Sequence, residues 1–195
     1  MFKQTDSLYA FTFRGQLAEQ AVLGTGLSTR AGMEDVNVGE FSKAVSIDLL
    51  DDDDVDTARE MAVVYVAITA FERAARRFVQ RVLFEEFGDD WWARGVSEKI
   101  RKFAERRQAE EVKTRWHADR GGDPLDYTEM GQLPNIIQQN WELFEAHVPR
   151  LDWATALFGT VERSRNVIMH SGELSLEDAE RVGINIRDWV RQVGT

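Results

Sequence analysis

Apolar residues recur at steps of three and four along most of the chain after residue 50, the pattern of amphipathic helices. The longest such stretch runs from Val55 to about Phe87, where Met61, Val64, Tyr65, Ile68, Phe71, Ala75, Phe78, Val79 and Val82 make one continuous apolar face. The run Asp51-Asp52-Asp53-Asp54 stands just before it, where the positive helix start favours carboxylates. Gly88-Asp89-Asp90 is a stop. Trp91-Trp92 then opens a second helix to about His117, with Trp92, Val96, Ile100 and Phe103 turned inward. Gly121-Gly122 and Pro124 mark a loop over 118–127. A third helix covers Pro134 to His147, with Ile136, Ile137, Trp141 and Phe144 as its core row, and Pro149 breaks it. A fourth spans about 151–171, with Leu157, Phe158, Val161 and Ile168 inside. Ser175 before Leu176-Glu177-Asp178 is a capping signal for a last helix, 176–192, which buries Val182, Ile186, Trp189 and Val190.

The first fifty residues are harder to read. Tyr9, Phe11 and Phe13 alternate like a strand, whereas Phe13, Leu17, Ala18 and Ala21 suit a helix. Gly24 and Gly26 end either one, and residues 27–44 read as loop. Composition narrows the class. Of 195 residues 43% are hydrophobic and 30% charged, enough for a sizeable core and too apolar for global disorder. The net charge of −10 argues against broad nonspecific nucleic-acid binding. It is uneven: residues 1–54 hold 4 basic and 10 acidic residues, so the remainder is close to balance and can carry a local basic face. With no cysteine, disulfides and thiolate metal sites are excluded, which suits a cytoplasmic setting. Neither a signal peptide nor a membrane-length apolar run is expected.

The candidate chemistry lies in Arg165-Asn166-Val167-Ile168-Met169-His170, followed by Ser171-Gly172. Arg165 is four after Val161 and three before Ile168, so an arginine interrupts the buried stripe, and a buried arginine needs a partner. Asn166 and His170 are four apart and can meet. His170 falls at the helix end, where the negative pole favours imidazolium and Gly172 is placed to stop the helix. Arg165 and His170 are about 140° apart around the helix and can border one cleft. Guanidinium, amide and imidazole are what a phosphodiester site needs: a phosphate clamp, an orienter and an acid/base. The blander reading is a structural ion pair and a solvated end group.

On the long helix Glu72 borders the apolar face and needs a cation, either Arg76 one turn on or Arg165 on the later helix. Arg73, Arg77 and Arg81 recur every fourth residue. Such a stripe is ordinarily a solvated face, and it can also hold a phosphate backbone. The mixed charges after Lys99 read as a salt-bridge-laced surface, where the acids dilute any field that nucleic acid would feel. The four aspartates lack the spaced oxygens and turn glycine of a metal loop. His117 and His147 lack ligand neighbours at zinc spacing, so no metal and no cofactor is expected. There is no phosphate-binding glycine loop, nucleophile elbow or dinucleotide fingerprint.

Arg165-Asn166, three residues, then His170 resembles the signature of HEPN domains. The wider order agrees: Ala70-Phe71-Glu72-Arg73, then Trp91-Trp92 after a glycine turn, Ile136-Ile137-Gln138-Gln139-Asn140-Trp141, and His170-Ser171-Gly172-Glu173-Leu174-Ser175. Together these are similar to the Swt-type branch over roughly residues 45–193, leaving 1–44 as an extension. The resemblance implies an all-α, up-and-down bundle of about five helices. It also implies a homodimer whose motif helices line one cleft, and a metal-independent endoribonuclease of a defence or toxin-antitoxin system that leaves 2′,3′-cyclic phosphate ends. RNA would be the substrate, and an antitoxin or other defence protein a partner. Carried over, His170 is general base or acid, Arg165 stabilises phosphoryl charge, Asn166 orients His170 or binds the phosphate, and Glu72 holds Arg165. Other members are non-catalytic, so a nucleotide-binding, sensor or protein-interaction module is the competing expectation, and it fits the acidic surface better.

Overall fold

The computed structural model describes residues 38–113 and 121–194. The readings placed on Tyr9 to Ala21, Gly24, Gly26 and His117 lie outside the described residues. The chain divides after Val55 into two units. In the first, residues 38–44 are helical where a loop was expected, and a short 3-10 turn follows at Ile47–Leu49. Val38 and Phe41 are exposed on that helix, so it has no buried stripe to announce it in the sequence.

The long helix α1 runs Asp52–Phe87. Asp51 starts it: its carboxylate oxygen accepts the backbone N–H of Asp53 at 3.0 Å. In the second unit Ile68, Phe71, Ala75, Phe78, Val79, Val82 and Leu83 of α1 are buried, as the spacing requires, while Tyr65 is exposed. After a 3-10 turn at Gly88–Asp90 come α2 (Trp91–Gly95) and α3 (Glu98–Glu111). Two 3-10 turns, Pro124–Tyr127 and Met130–Gln132, lead into α4 (Leu133–Gln139) and α5 (Trp141–Phe144). The last pair is α6 (Leu151–Met169) and α7 (Leu176–Val193). Among the described residues every regular element is helical, and the bundle is all-α and up-and-down.

Two expected helices are broken, and side chains at the second break hold the first. Val96 and Ser97 are extended, so the second helix becomes α2 and α3. Asn140 leaves helical geometry (φ −121°, ψ 35°) and divides the third into α4 and α5. The Asn140 amide donates to Gly95 O at 2.7 Å and Ile136 O at 2.8 Å, and Ser97 N–H donates to Gln139 Oε1 at 3.2 Å. Arg101 adds bonds to Ala93 O and Val96 O. The backbone groups freed by both breaks thus find partners, which is what makes them affordable.

Trp189 of α7 is the centre of the core. Its ring meets Phe158 of α6 at 5.0 Å, Phe78 at 5.6 Å and Phe71 at 6.0 Å from α1, and stacks on Trp153 at 6.1 Å. Edge-to-face contacts of this kind add about 0.5–1.5 kcal/mol each beyond burial. Two further details differ from the pattern. Val193 is buried on α7 and Val190 is not, and Trp91 is more deeply placed than Trp92. Among the described residues no helix is long and apolar enough to cross a membrane.

Candidate functional site

Four ionisable side chains and one loop meet where α1 crosses α6. Glu72, at 16% side-chain exposure, lies between two guanidinium groups. Arg76, one turn on, pairs with one carboxylate oxygen, and Arg165 Nη1 reaches the other at 3.3 Å. Both partners weighed for Glu72 therefore engage it. Arg76 is itself buried, and it donates to Leu125 O, Thr128 Oγ1 (2.6 Å) and Thr128 O (3.1 Å). One arginine thus orients Glu72 and pins the 123–132 loop to α1.

Arg165 is held from its own helix as well. Glu162 Oε1 stands 4.0 Å from Nη2, and Asn166 Oδ1 accepts from Nη2 at 3.4 Å. Glu162 in turn accepts the Gly131 N–H at 3.2 Å. A Cβ on Gly131 would come within 2.8 Å of Glu162 Oε2, so the absent side chain lets that carboxylate reach the loop. Arg165 keeps 25% of its side chain exposed while Nη1 and Nη2 are both engaged by partners.

His170 is exposed at the end of α6. The helix closes in a Schellman arrangement: Gly172 N–H bonds Val167 O at 2.8 Å and Ser171 N–H bonds Ile168 O at 3.1 Å. The left-handed residue is Ser171 (φ 60°), not Gly172 as the stop signal suggested. Gly172 serves close approach, since a Cβ there would meet Val167 Cγ1 at 2.7 Å and Val167 O at 2.9 Å. Asn166 turns its oxygen to Arg165, and no hydrogen bond joins Asn166 to the imidazole. Arg165 and His170 lie about 7.5 Å apart along the helix axis.

The remaining candidates sit elsewhere. Arg73, Arg77 and Arg81 are exposed on α1, and Arg81 leans on the Phe78 ring at 5.8 Å. His147 packs edge-on against Phe78 at 5.7 Å, a core-rim position. Among the described residues no three His, Cys, Asp or Glu side chains cluster to hold a metal. Sequence reasoning missed Glu162, Thr128 and the tether role of Arg76. Only the i,i+3 spacing of Glu162 and Arg165 was readable; the rest depends on where the 123–132 loop folds back.

A helical bundle with arginine, asparagine and histidine at the end of one helix is the arrangement of a HEPN domain. Residues 67–194 match the family model for Swt1-like HEPN, about two thirds of the chain, and the chain belongs to that family. Comparison with curated proteins and with solved structures gives no match.

Proposed function

We propose that the chain is a metal-independent endoribonuclease, active as a homodimer, whose site combines Arg165, Asn166 and His170 of two copies. The observation that carries this reading is the state of Arg165: a guanidinium anchored by Glu72 yet partly open, one helical turn and a half before an exposed imidazole. Pre-oriented donors at a place where charge develops are worth most when no reorganisation is needed.

The step balances without metal or redox change. Neutral His170 takes the proton of a ribose 2′-hydroxyl, O2′ bonds to phosphorus, and the P–O5′ bond breaks. Protonated His170 of the second copy gives its proton to the leaving O5′. Arg165 stabilises the phosphoryl oxygens, and Asn166 fixes the guanidinium fork. The products are a 2′,3′-cyclic phosphate and a 5′-hydroxyl. A second copy also fits the surface. Val167 and Met169 on the motif helix and Leu176 just beyond it are exposed apolar residues that a second copy would cover. A defence or toxin-antitoxin setting, with a protein that restrains the nuclease, follows from such an activity in a cytoplasm.

Incubating the full chain with mixed single-stranded RNAs in EDTA tests the reading. Cleavage with cyclic-phosphate ends is expected, and His170→Ala should abolish it while melting at the wild-type temperature. A dimer inert on every RNA offered would instead favour a non-catalytic sensor, to which the net charge of −10 is better suited.

A further inference from the structure

Ser97, Lys99, Ile100, Gln132, Asn135, Gln138 and Gln139 line an open groove of about 340 Å³ between α3 and α4. That lies within the size range of small-ligand sites, about 300–1,000 Å³. Three of its carboxamides are already oriented by the backbone. Gln132 Oε1 accepts from Glu129 N–H at 3.0 Å and Gln139 Oε1 from Ser97 N–H at 3.2 Å. Asn135 Nδ2 donates to Gly131 O at 3.4 Å. A backbone N–H must meet oxygen and a carbonyl must meet NH2, so these assignments are forced. What remains for a ligand is the NH2 of Gln132 and Gln139 and the carbonyl of Asn135. Gln138 is exposed beside them.

Charged groups adjoin the lining through Lys99 and through Asn135. Lys99 continues into Lys102 and Arg106, exposed at successive turns of one face of α3. Glu105 borders this row, and Lys102 pairs with Glu98, but both members of that pair are about two-thirds exposed and exchange readily for phosphate. Asn135 bonds Gly131 O, Gly131 N–H bonds Glu162, and Glu162 stands beside Arg165.

We infer that the groove is a base-reading subsite for single-stranded RNA. A strand whose scissile phosphate lies at Arg165 would seat a neighbouring base among Gln132, Asn135 and Gln138 and lay its backbone along Lys99, Lys102 and Arg106. The inference rests on the proposed RNA substrate and adds where specificity is read. Carboxamides with fixed donors and acceptors match the edges of unpaired bases, whereas the deep groove of an A-form duplex hides them. A protein partner is the poorer fit. Interface hot spots are enriched in Trp, Tyr and Arg; none lines the groove, and its one apolar side chain, Ile100, is 4% exposed.

The test uses the full chain and short 2′-O-methyl single-stranded RNAs of differing base composition, which bind but offer no free 2′-hydroxyl. Affinity is followed by fluorescence anisotropy over a range of salt. Replacing Lys99, Lys102 and Arg106 together by Gln should lower the slope of log K against log salt by about 2, at about 0.7 per lost single-strand contact. Gln138→Ala should change the preference between compositions about fivefold or more and leave the slope unchanged. Wild-type slope and preference in both variants would overturn the subsite, even if unmodified RNA is still cut. So would a wild-type chain that binds none of these RNAs, or groove variants that lose only a protein partner. Groove-dependent binding without cleavage of unmodified RNA would keep the subsite and remove the nuclease.

Discussion

At the scale of single residues, the end of α6 is where structure and sequence part most usefully. Ser171 occupies left-handed backbone (φ 60°), a conformation that costs a non-glycine residue about 1–2 kcal/mol. Its N–H and that of Gly172 close the helix on which His170 sits. Ser171→Gly should therefore stabilise the protein, by about 0.5–1 kcal/mol once the greater freedom of glycine in the unfolded chain is counted. Gly172→Ala should destabilise by about 1–3 kcal/mol, because the new Cβ meets Val167 O at 2.9 Å and backbone oxygen cannot yield. Urea denaturation of both variants reads these signs; equal stabilities would mean the turn is not under this constraint. The dipeptide Ser171-Gly172 was legible as a helix stop, but which of the two carries the positive φ was not. The deciding contact, with Val167 five residues back, is one that a stop signal does not encode.

At the scale of elements, Arg76 joins α1 to the 123–132 loop and to Glu72. Arg76→Met should cost about 3–5 kcal/mol, since it leaves the Glu72 carboxylate with Arg165 as its one remaining cation and takes a donor from Thr128 O and Oγ1. Adding Glu72→Gln should recover part of that loss by removing a carboxylate left with one cation fewer, and a double-mutant cycle measures the coupling; strict additivity would show that the two do not act as a unit. The same loop carries a pH signature. Burial raises the Asp123 carboxyl above its ordinary value, with Asp126 adding to it and the Leu125 N–H, Gln80 and Arg76 opposing. A raised folded value means the proton is held more tightly in the folded state. The related stability is full below the unfolded value of 3.8 and is lost as pH rises through the folded one. Relative to Asp123→Asn, the wild type should gain stability on acidification through this window, measured by denaturation at stepped pH; parallel profiles would refute it. The helices themselves were legible because Ile68, Phe71, Ala75 and Phe78 on α1, Leu157, Phe158 and Val161 on α6, and Val182, Ile186 and Trp189 on α7 recur at helical steps. The breaks at Ser97 and Asn140 were not. Gly95 before Ser97 is a stop-and-cap pattern, yet what fixes the first break is that Gln139 and Asn140 reach across to Ser97 N–H and Gly95 O, a tertiary event.

At the scale of the whole molecule, the proposed chemistry needs two imidazoles in opposite protonation states, and each copy supplies one at this motif. That requirement separates a composite site from a self-sufficient one. If both His170 side chains act in a single cleft, a mixed dimer of wild type with His170→Ala has lost either its base or its acid and is inactive. Activity should then follow the square of the wild-type fraction: an equal mixture, refolded together so that copies redistribute, keeps about a quarter of the starting rate. If each copy cleaves alone, the same mixture keeps about half. Arg165 adds a second axis. A guanidinium lost from one copy weakens phosphoryl stabilisation but leaves both proton-transfer groups in place, so mixed dimers with Arg165→Ala should lie above the square law. The intact Glu72–Arg76 pair in that variant keeps the loop anchored, so the difference reads chemistry rather than folding. Rates linear in wild-type fraction for His170→Ala would place the whole reaction within one copy and leave the exposed apolar residues around the motif to another purpose.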